Sequence, residues 1–339
     1  MIHPIPSGTR DVLPDEMREL RQITESLRAV FDAAGYGEVY TPALEYESVL
    51  ARGDMGDARP AYRVFDEAGE VLVLRSDMTV PIARVVATRY PNAEPPLRFC
   101  YFAHSYRGVR PQRGQPREFL QAGIELIGAP APHGTAEVLS VICRALDGLG
   151  LTTYKVGLGD AGLYPSLLDG FGVNGEARSR LLAELARGDF VGLESELRGL
   201  ELSDEEIGLL LRVPQMRGGP GVLEVPPGPV ADVVAGLQGV HALLERSVAD
   251  RVIFDLGLSL RSLGYYTGAI FEIYDPAVGM PIGAGGRYDD LLGRFGASQP
   301  AVGFALGLDR LHLALAGEEQ TIAPGYAAPS ADEVPVSRP

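Results

Sequence analysis

The chain has 339 residues, 46% hydrophobic and 22% charged, enough for one large or two ordinary domains around a substantial core. A formal net charge of −15 and a pI near 4.8 argue against any general affinity for nucleic acid or an anionic membrane, which would need Lys and Arg to neutralise phosphates. Lys155 is the sole lysine, and its setting TTYKVGL fits neither a P-loop nor a Schiff-base site. Cys100 and Cys143 stand far apart in apolar surroundings and read as buried thiols in a reducing compartment, and zinc-ligand spacing is missing. With neither a secretory leader nor a run of membrane-spanning length, the expectation is a cytoplasmic protein that uses no metal or cofactor and engages neither membrane nor nucleic acid.

Residues 1–14 carry Pro4, Pro6, Gly8 and Pro14 and form an extended lead-in, with Thr9, Arg10 and Asp11 available for polar contacts. Leu20, Ile23, Leu27, Val30 and Phe31 recur at helical spacing, which predicts a helix capped by Asp15 and stopped by Gly35 and Gly37. A short strand at 38–40 stops at Pro42, and a charged loop over 52–59 follows. Segments 62–65 and 71–74 flank Asp66-Glu67-Ala68-Gly69 as a hairpin. Its second strand runs into Arg75-Ser76-Asp77-Met78-Thr79, and a helix over 80–90 has Pro81 in its first turn. Asp77 and Thr79 then stand at a helix start, where they either cap it or face a ligand.

A strand over 98–103 leads into the stretch around which the chain is organised, SYRGVRPQRGQPREFLQAGIELIG at 105–128. Its first half gathers Arg107, Arg110, Arg113 and Arg117 on a glycine- and proline-bearing turn, and forked guanidinium groups there suit a phosphate or carboxylate. The second half reads as a strand with Leu120, Ala122, Ile124 and Leu126 on a core face. Phe119, Gln121, Gly123 and Glu125 take the other face, an amide and a carboxylate with Gly123 between them leaving room for a small molecule against the backbone. The same residues also fit a surface hairpin beside a half-buried strand. A helix over 136–149 and a strand over 154–158 follow. From 163 to 223 the chain turns to Leu, Ala, Glu and Arg at helical spacing, with SDEEIGLLLR a clear helix start, as a small helical insertion. A helix over 230–245 and strands over 252–256 and 269–274 come next. The glycines of 283–286 fail the dinucleotide pattern, since Tyr288 stands where a glycine is required, and instead suit close backbone approach beside Tyr288, with Tyr265 and Tyr266 either supplying rings and hydroxyls there or packing in the core. In 302–315 a strand passes into a buried helix that presents Arg310, which needs a carboxylate or a ligand phosphate as partner.

GTRDVLP at 8–14, YTPALE at 40–45, LRSDMT at 74–79, RGVRPQRGQPREFLQAGIE at 107–125, RSLGYYTGAIFE at 261–272, GAGGRYDDLL at 283–292 and GFALGLDRL at 303–311 together resemble the class II aminoacyl-tRNA synthetase core, in its histidyl-tRNA synthetase branch. The resemblance implies an α+β fold, a mostly antiparallel sheet flanked by helices, over 1–320, with the helical insertion at about 163–223 and a flexible tail over 321–339. It implies a histidine pocket of Asp77, Thr79, Arg107, Gln121, Glu125, Arg261, Tyr265 and Tyr266, with Tyr288 nearby, and ATP phosphates held by Arg107 and Arg310. Three departures bear on function: Val109 stands where a synthetase has an acidic residue, Ser262 and Gly264 alter the tyrosine-pair motif, and the 24 residues after Leu315 are too few for an anticodon-binding domain. LRSDMTVPIAR and GYYTGAIFEIY look more like the branch of regulatory subunits of ATP phosphoribosyltransferase. That branch implies a non-catalytic chain that dimerises around Pro42. Its partners would be L-histidine and the short-form catalytic subunit, in a hetero-octamer controlled by feedback in histidine biosynthesis. The alternatives are a truncated synthetase-like enzyme activating histidine with ATP, for which the retained Arg107, Arg261 and Arg310 speak, and a stand-alone histidine sensor.

Overall fold

In the computed structural model, which describes residues 5–53, 61–108, 116–224, 228, 230–258 and 264–322, helix α1 (Pro14–Ala33) buries the stripe Leu20, Ile23, Leu27 and Phe31. Asp15 does not cap it. The helix begins one residue earlier, at Pro14, so Asp15 lies inside the first turn and favours it by charge alone. Strand β1 (Gly37–Glu38) is followed by β2 (Leu44–Tyr46), α2 (Glu47–Leu50), β3 (Arg63–Phe65) and β4 (Val71–Leu74). The last three strands form a small antiparallel sheet in the order β2-β4-β3.

The chain continues through α3 (Thr79–Arg89), β5 (Leu97–Tyr106), β6 (Glu118–Ile127), α4 (His133–Gly148) and β7 (Lys155–Asp160). Helices α5 (Leu163–Gly170), α6 (Gly175–Arg187), α7 (Phe190–Arg198) and α8 (Asp204–Arg212) come next. The start of α8 is a capping box, with the Ser203 hydroxyl accepting from the Glu206 N–H and the Glu206 carboxylate accepting from the Ser203 N–H. After β8 (Arg217–Gly218), α9 (Ala231–Leu243), α10 (Arg246–Ala249) and β9 (Val252–Asp255), the chain closes with β10 (Ala269–Tyr274), β11 (Gly283–Arg287), β12 (Ala301–Gly307) and α11 (Leu308–Ile322).

Among the described residues the large sheet runs β1-β5-β6-β12-β11-β10-β7-β9-β8, antiparallel throughout except at β1–β5 and β7–β9. Side chains alternate across it as the pleat requires. Ala122, Ile124 and Leu126 of β6, Phe271 of β10, and Val302, Phe304 and Leu306 of β12 enter the main core with α1, α4 and α11. A second apolar cluster joins α3 to Phe99 and Tyr101 of β5 and to Tyr265, Tyr288 and Leu291. The run 283–287 is itself a strand, poor as its intrinsic propensity is. Its neighbours demand glycine: a Cβ at Gly285 would strike the Phe304 ring and the Gly303 carbonyl, and one at Gly286 would strike the ring of Tyr266.

Candidate ligand pocket

The face of the sheet opposite the main core carries Gln121 and Glu125 of β6 beside Gly303, Ala305 and Gly307 of β12, since Glu125 pairs with Gly303, Gly123 with Ala305 and Gln121 with Gly307. Glu125 is 1% exposed, and its carboxylate fills the space over Gly303, where any Cβ would overlap it. Thr79 Oγ1, in the first turn of α3, donates to Glu125 Oε1 at 2.8 Å, and the Tyr288 hydroxyl donates to Oε2. Tyr265 is hydrogen-bonded in turn to Thr79. Two hydroxyls thus converge on one buried carboxylate, with that of Tyr265 behind Thr79. Burial pushes the Glu125 pKa up to about 8, the Tyr288 and Thr79 hydrogen bonds pull it down, and the nearby Asp77 charge raises it further. The phenols of Tyr265 and Tyr288 are driven well above their ordinary range, first by burial.

Asp77 takes the capping role the sequence offered it. Its Oδ1 accepts from the Val80 N–H at 3.1 Å, a cap, while its charge reaches Tyr101, Tyr265 and Glu125. The rings of Tyr265 and Tyr266 meet edge-on at 5.1 Å, and those of Tyr265 and Tyr288 at 5.9 Å. Gln121 is held from behind, its Oε1 accepting from the buried Ser105 hydroxyl at 2.8 Å. At the same end, the Arg107 guanidinium lies 4.9 Å from the centre of the Phe119 ring, and Phe119 shares a face with Gln121. Arg310 leans over Gly307, the strand partner of Gln121. Four residues of strand separate Gln121 from Glu125, about 13 Å at an ordinary rise. The site therefore has an acidic, hydroxyl-rich end and a cationic end, and suits a ligand that carries a positive or hydrogen-bonding group at one extremity and an anion at the other.

One expectation changes. Gly123 leaves no free space for a ligand: Tyr101, its direct partner across the hairpin, lays its hydroxyl over it, where a Cβ would stand. Arg310 has a backbone partner, its Nη1 donating to the Pro281 carbonyl at 2.7 Å, and burial pulls its pKa down. Tyr101, Ser105 and Gly303 are site residues that the sequence reading missed. Arg261 lies outside the described residues, as do Val109, Arg110, Arg113, Ser262 and the greater part of the expected tail.

A mostly antiparallel sheet that gathers these side chains on the face opposite its main core, with a hairpin arginine and an arginine at the start of the last helix beside them, is a class II synthetase-like architecture. The histidyl-tRNA synthetase family description matches residues 8–311. The chain is 38% identical over 314 residues to the ATP phosphoribosyltransferase regulatory subunit of Desulforamulus reducens, covering 91% of this chain and 78% of that one. It is 40% identical over 327 residues to the same subunit of Symbiobacterium thermophilum, covering 91% and 79%. A solved Bacillus halodurans structure described as an ATP phosphoribosyltransferase regulatory subunit/histidyl-tRNA synthetase superposes with a TM-score of 0.84 at 33% identity, over 93% of this chain and 84% of that one. Histidyl-tRNA synthetase from Nostoc shares the fold, with a TM-score of 0.77 at 21% identity over 94% of this chain and 76% of its own. The chain belongs to the histidyl-tRNA synthetase family, and within it to the ATP phosphoribosyltransferase regulatory subunits.

Proposed function

We propose that the chain, as a regulatory subunit of ATP phosphoribosyltransferase, performs no chemistry of its own, is required by the short-form catalytic subunit for activity, and brings that activity under feedback control by L-histidine. The observation that carries this reading is identity of 38–40% across nine-tenths of the chain to relatives bearing that name. On this reading histidine occupies the pocket of Asp77, Thr79, Arg107, Gln121, Glu125, Tyr265, Tyr266 and Tyr288, together with Arg261. Its imidazole or ammonium faces Glu125, Asp77 and the hydroxyls, and its carboxylate faces an arginine. The core spans 1–320 with an inserted helical segment at about 163–223, and the protein works in the cytoplasm.

The subunit forms a homodimer within a hetero-octamer. Support for the dimer comes from the small sheet: Leu44, Tyr46 and Val64 are exposed on the same face as the part-buried Leu72 and Leu74, beside the exposed Tyr40 and close to Pro42. Among the described residues no helix is long and apolar enough to cross a membrane.

The test is phosphoribosyl-ATP formation by the short-form catalytic subunit with and without this chain, across a histidine titration. Activity that depends on the chain and falls with histidine is expected. A catalytic subunit indifferent to the chain would overturn the reading. The position of Arg107 and Arg310 together at the cationic end favours the second reading, phosphate binding and histidine activation with ATP, which histidine-dependent ATP–pyrophosphate exchange would detect.

A further inference from the structure

Arg75 is 3% exposed, yet its guanidinium is satisfied by backbone rather than by a counter-charge. Nη1 donates to the carbonyls of Thr41 at 2.5 Å and Pro42 at 3.1 Å, with Thr41 Oγ1 at 3.3 Å, and Nε donates to the His104 carbonyl at 2.8 Å. Its main chain is tied to the same two segments, the Arg75 N–H to the Ala43 carbonyl and the Arg75 carbonyl to the Tyr106 N–H, both at 2.9 Å. Burial pulls its pKa down, so the charge is held there at a cost. A planar fork with fixed donor directions is the side chain that can pin carbonyls of two separate segments at once, and lysine cannot reproduce it. Asp77 and Thr79 follow two and four positions after this knot, and Arg107 follows Tyr106. On the opposite side, segment 41–46 leads through Ala43 into β2 and the exposed apolar face of the small sheet.

We propose that Arg75 is a positioning residue that carries occupancy of the pocket to segment 41–46, so that ligand binding and the ordering of that segment form one linked equilibrium. Walls contributed by 77–79 and by 107 cannot shift around a ligand without moving a residue whose two faces are bonded to 41–43 and to 104–106. The linkage is reciprocal: whatever docks on the small sheet alters ligand affinity by the factor with which ligand alters docking. The inference rests on the histidine-pocket reading above.

The test is hydrogen–deuterium exchange on the full chain with and without saturating L-histidine. The wild type should show slower exchange in peptides spanning 119–127 and also in those spanning 43–46, by about fivefold or more at the latter, the lower end of ordinary coupling. In Arg75→Lys, with histidine again at saturation, 119–127 should still respond while the histidine-dependent difference at 43–46 collapses. A merely structural role would instead speed exchange at 43–46 equally with and without ligand. Protection at 119–127 with none at 43–46 in the wild type overturns the coupling and leaves the pocket reading standing. Silence in both peptides, with no heat of binding by calorimetry, removes the pocket reading and the coupling with it. Should Arg75→Lys lose its cooperative melt, the wild-type comparison decides alone.

Discussion

At Glu125 the chemistry of the pocket becomes a statement about pH. The folded protein holds that proton up to about 8, whereas an ordinary glutamate releases it near 4.5. Between those values the folded state binds more protons than the unfolded one, so stability without ligand falls as pH rises through the window and levels off above about 8. Glu125→Gln should flatten that decline in denaturant melts run from about pH 5 to about pH 8.5. A residual slope should survive at the acidic end, where Asp160, raised by burial to about 6, titrates with the same sign. A slope unchanged by the substitution would place the titrating group elsewhere. Measured above about pH 8, where the carboxylate is already ionised, the same variant should weaken histidine binding by at least about tenfold, or about 1.4 kcal/mol, because it replaces a charge-assisted contact with a neutral one. Gly303→Ala should do so too without touching the carboxylate chemically, since its Cβ takes the space the carboxylate occupies; full affinity by calorimetry would refute that geometry. The sequence exposes Gln121 and Glu125 through strand parity alone. Tyr101 was within reach: once the arginine stretch is taken as a hairpin, Tyr106 pairs with Glu118 and counting back places Tyr101 opposite Gly123. Ser105 and Gly303 were not, because each is defined by a contact that only the folded sheet creates.

Elements whose information is local follow from the sequence, as α8 illustrates. Its capping box and the apolar spacing of Ile207 and Leu210 are written within a few residues. Ser203→Ala should therefore destabilise the protein by about 1 kcal/mol, measured by chemical denaturation, with histidine affinity unaltered. Loss of histidine binding in that variant would mean that the helices of 163–212 communicate with the pocket. β11 is the opposite case. Gly283-Ala284-Gly285-Gly286 has no strand propensity to read, and it becomes a strand because β10 and β12 flank it with their ladders and leave no volume for side chains at Gly283, Gly285 and Gly286. Asp15 misleads for a smaller reason: Pro14 can begin a helix because it needs no N–H there, so the start moves one residue upstream of the apparent cap.

At the scale of the whole molecule, the small sheet presents an apolar face. Leu44 and Tyr46 are 42% and 51% exposed and share a face with Val64, Leu72 and Leu74, an apolar surface of a kind that soluble monomers rarely leave uncovered. If a second copy covers it, Leu44→Lys with Tyr46→Lys should convert dimer to monomer in sedimentation velocity while barely moving the melting temperature measured at monomeric dilution, because neither side chain is buried within its own subunit. Charge would give such a dimer a second signature. Each copy carries −15, so association works against long-range repulsion that salt screens over a Debye length of about 10 Å at 0.1 M. An apolar seam between two acidic subunits should therefore tighten as salt rises, whereas one held by ion pairs would loosen. A dissociation constant that weakens with added salt would show that the seam is polar and that the apolar face of the small sheet is not where the two copies meet.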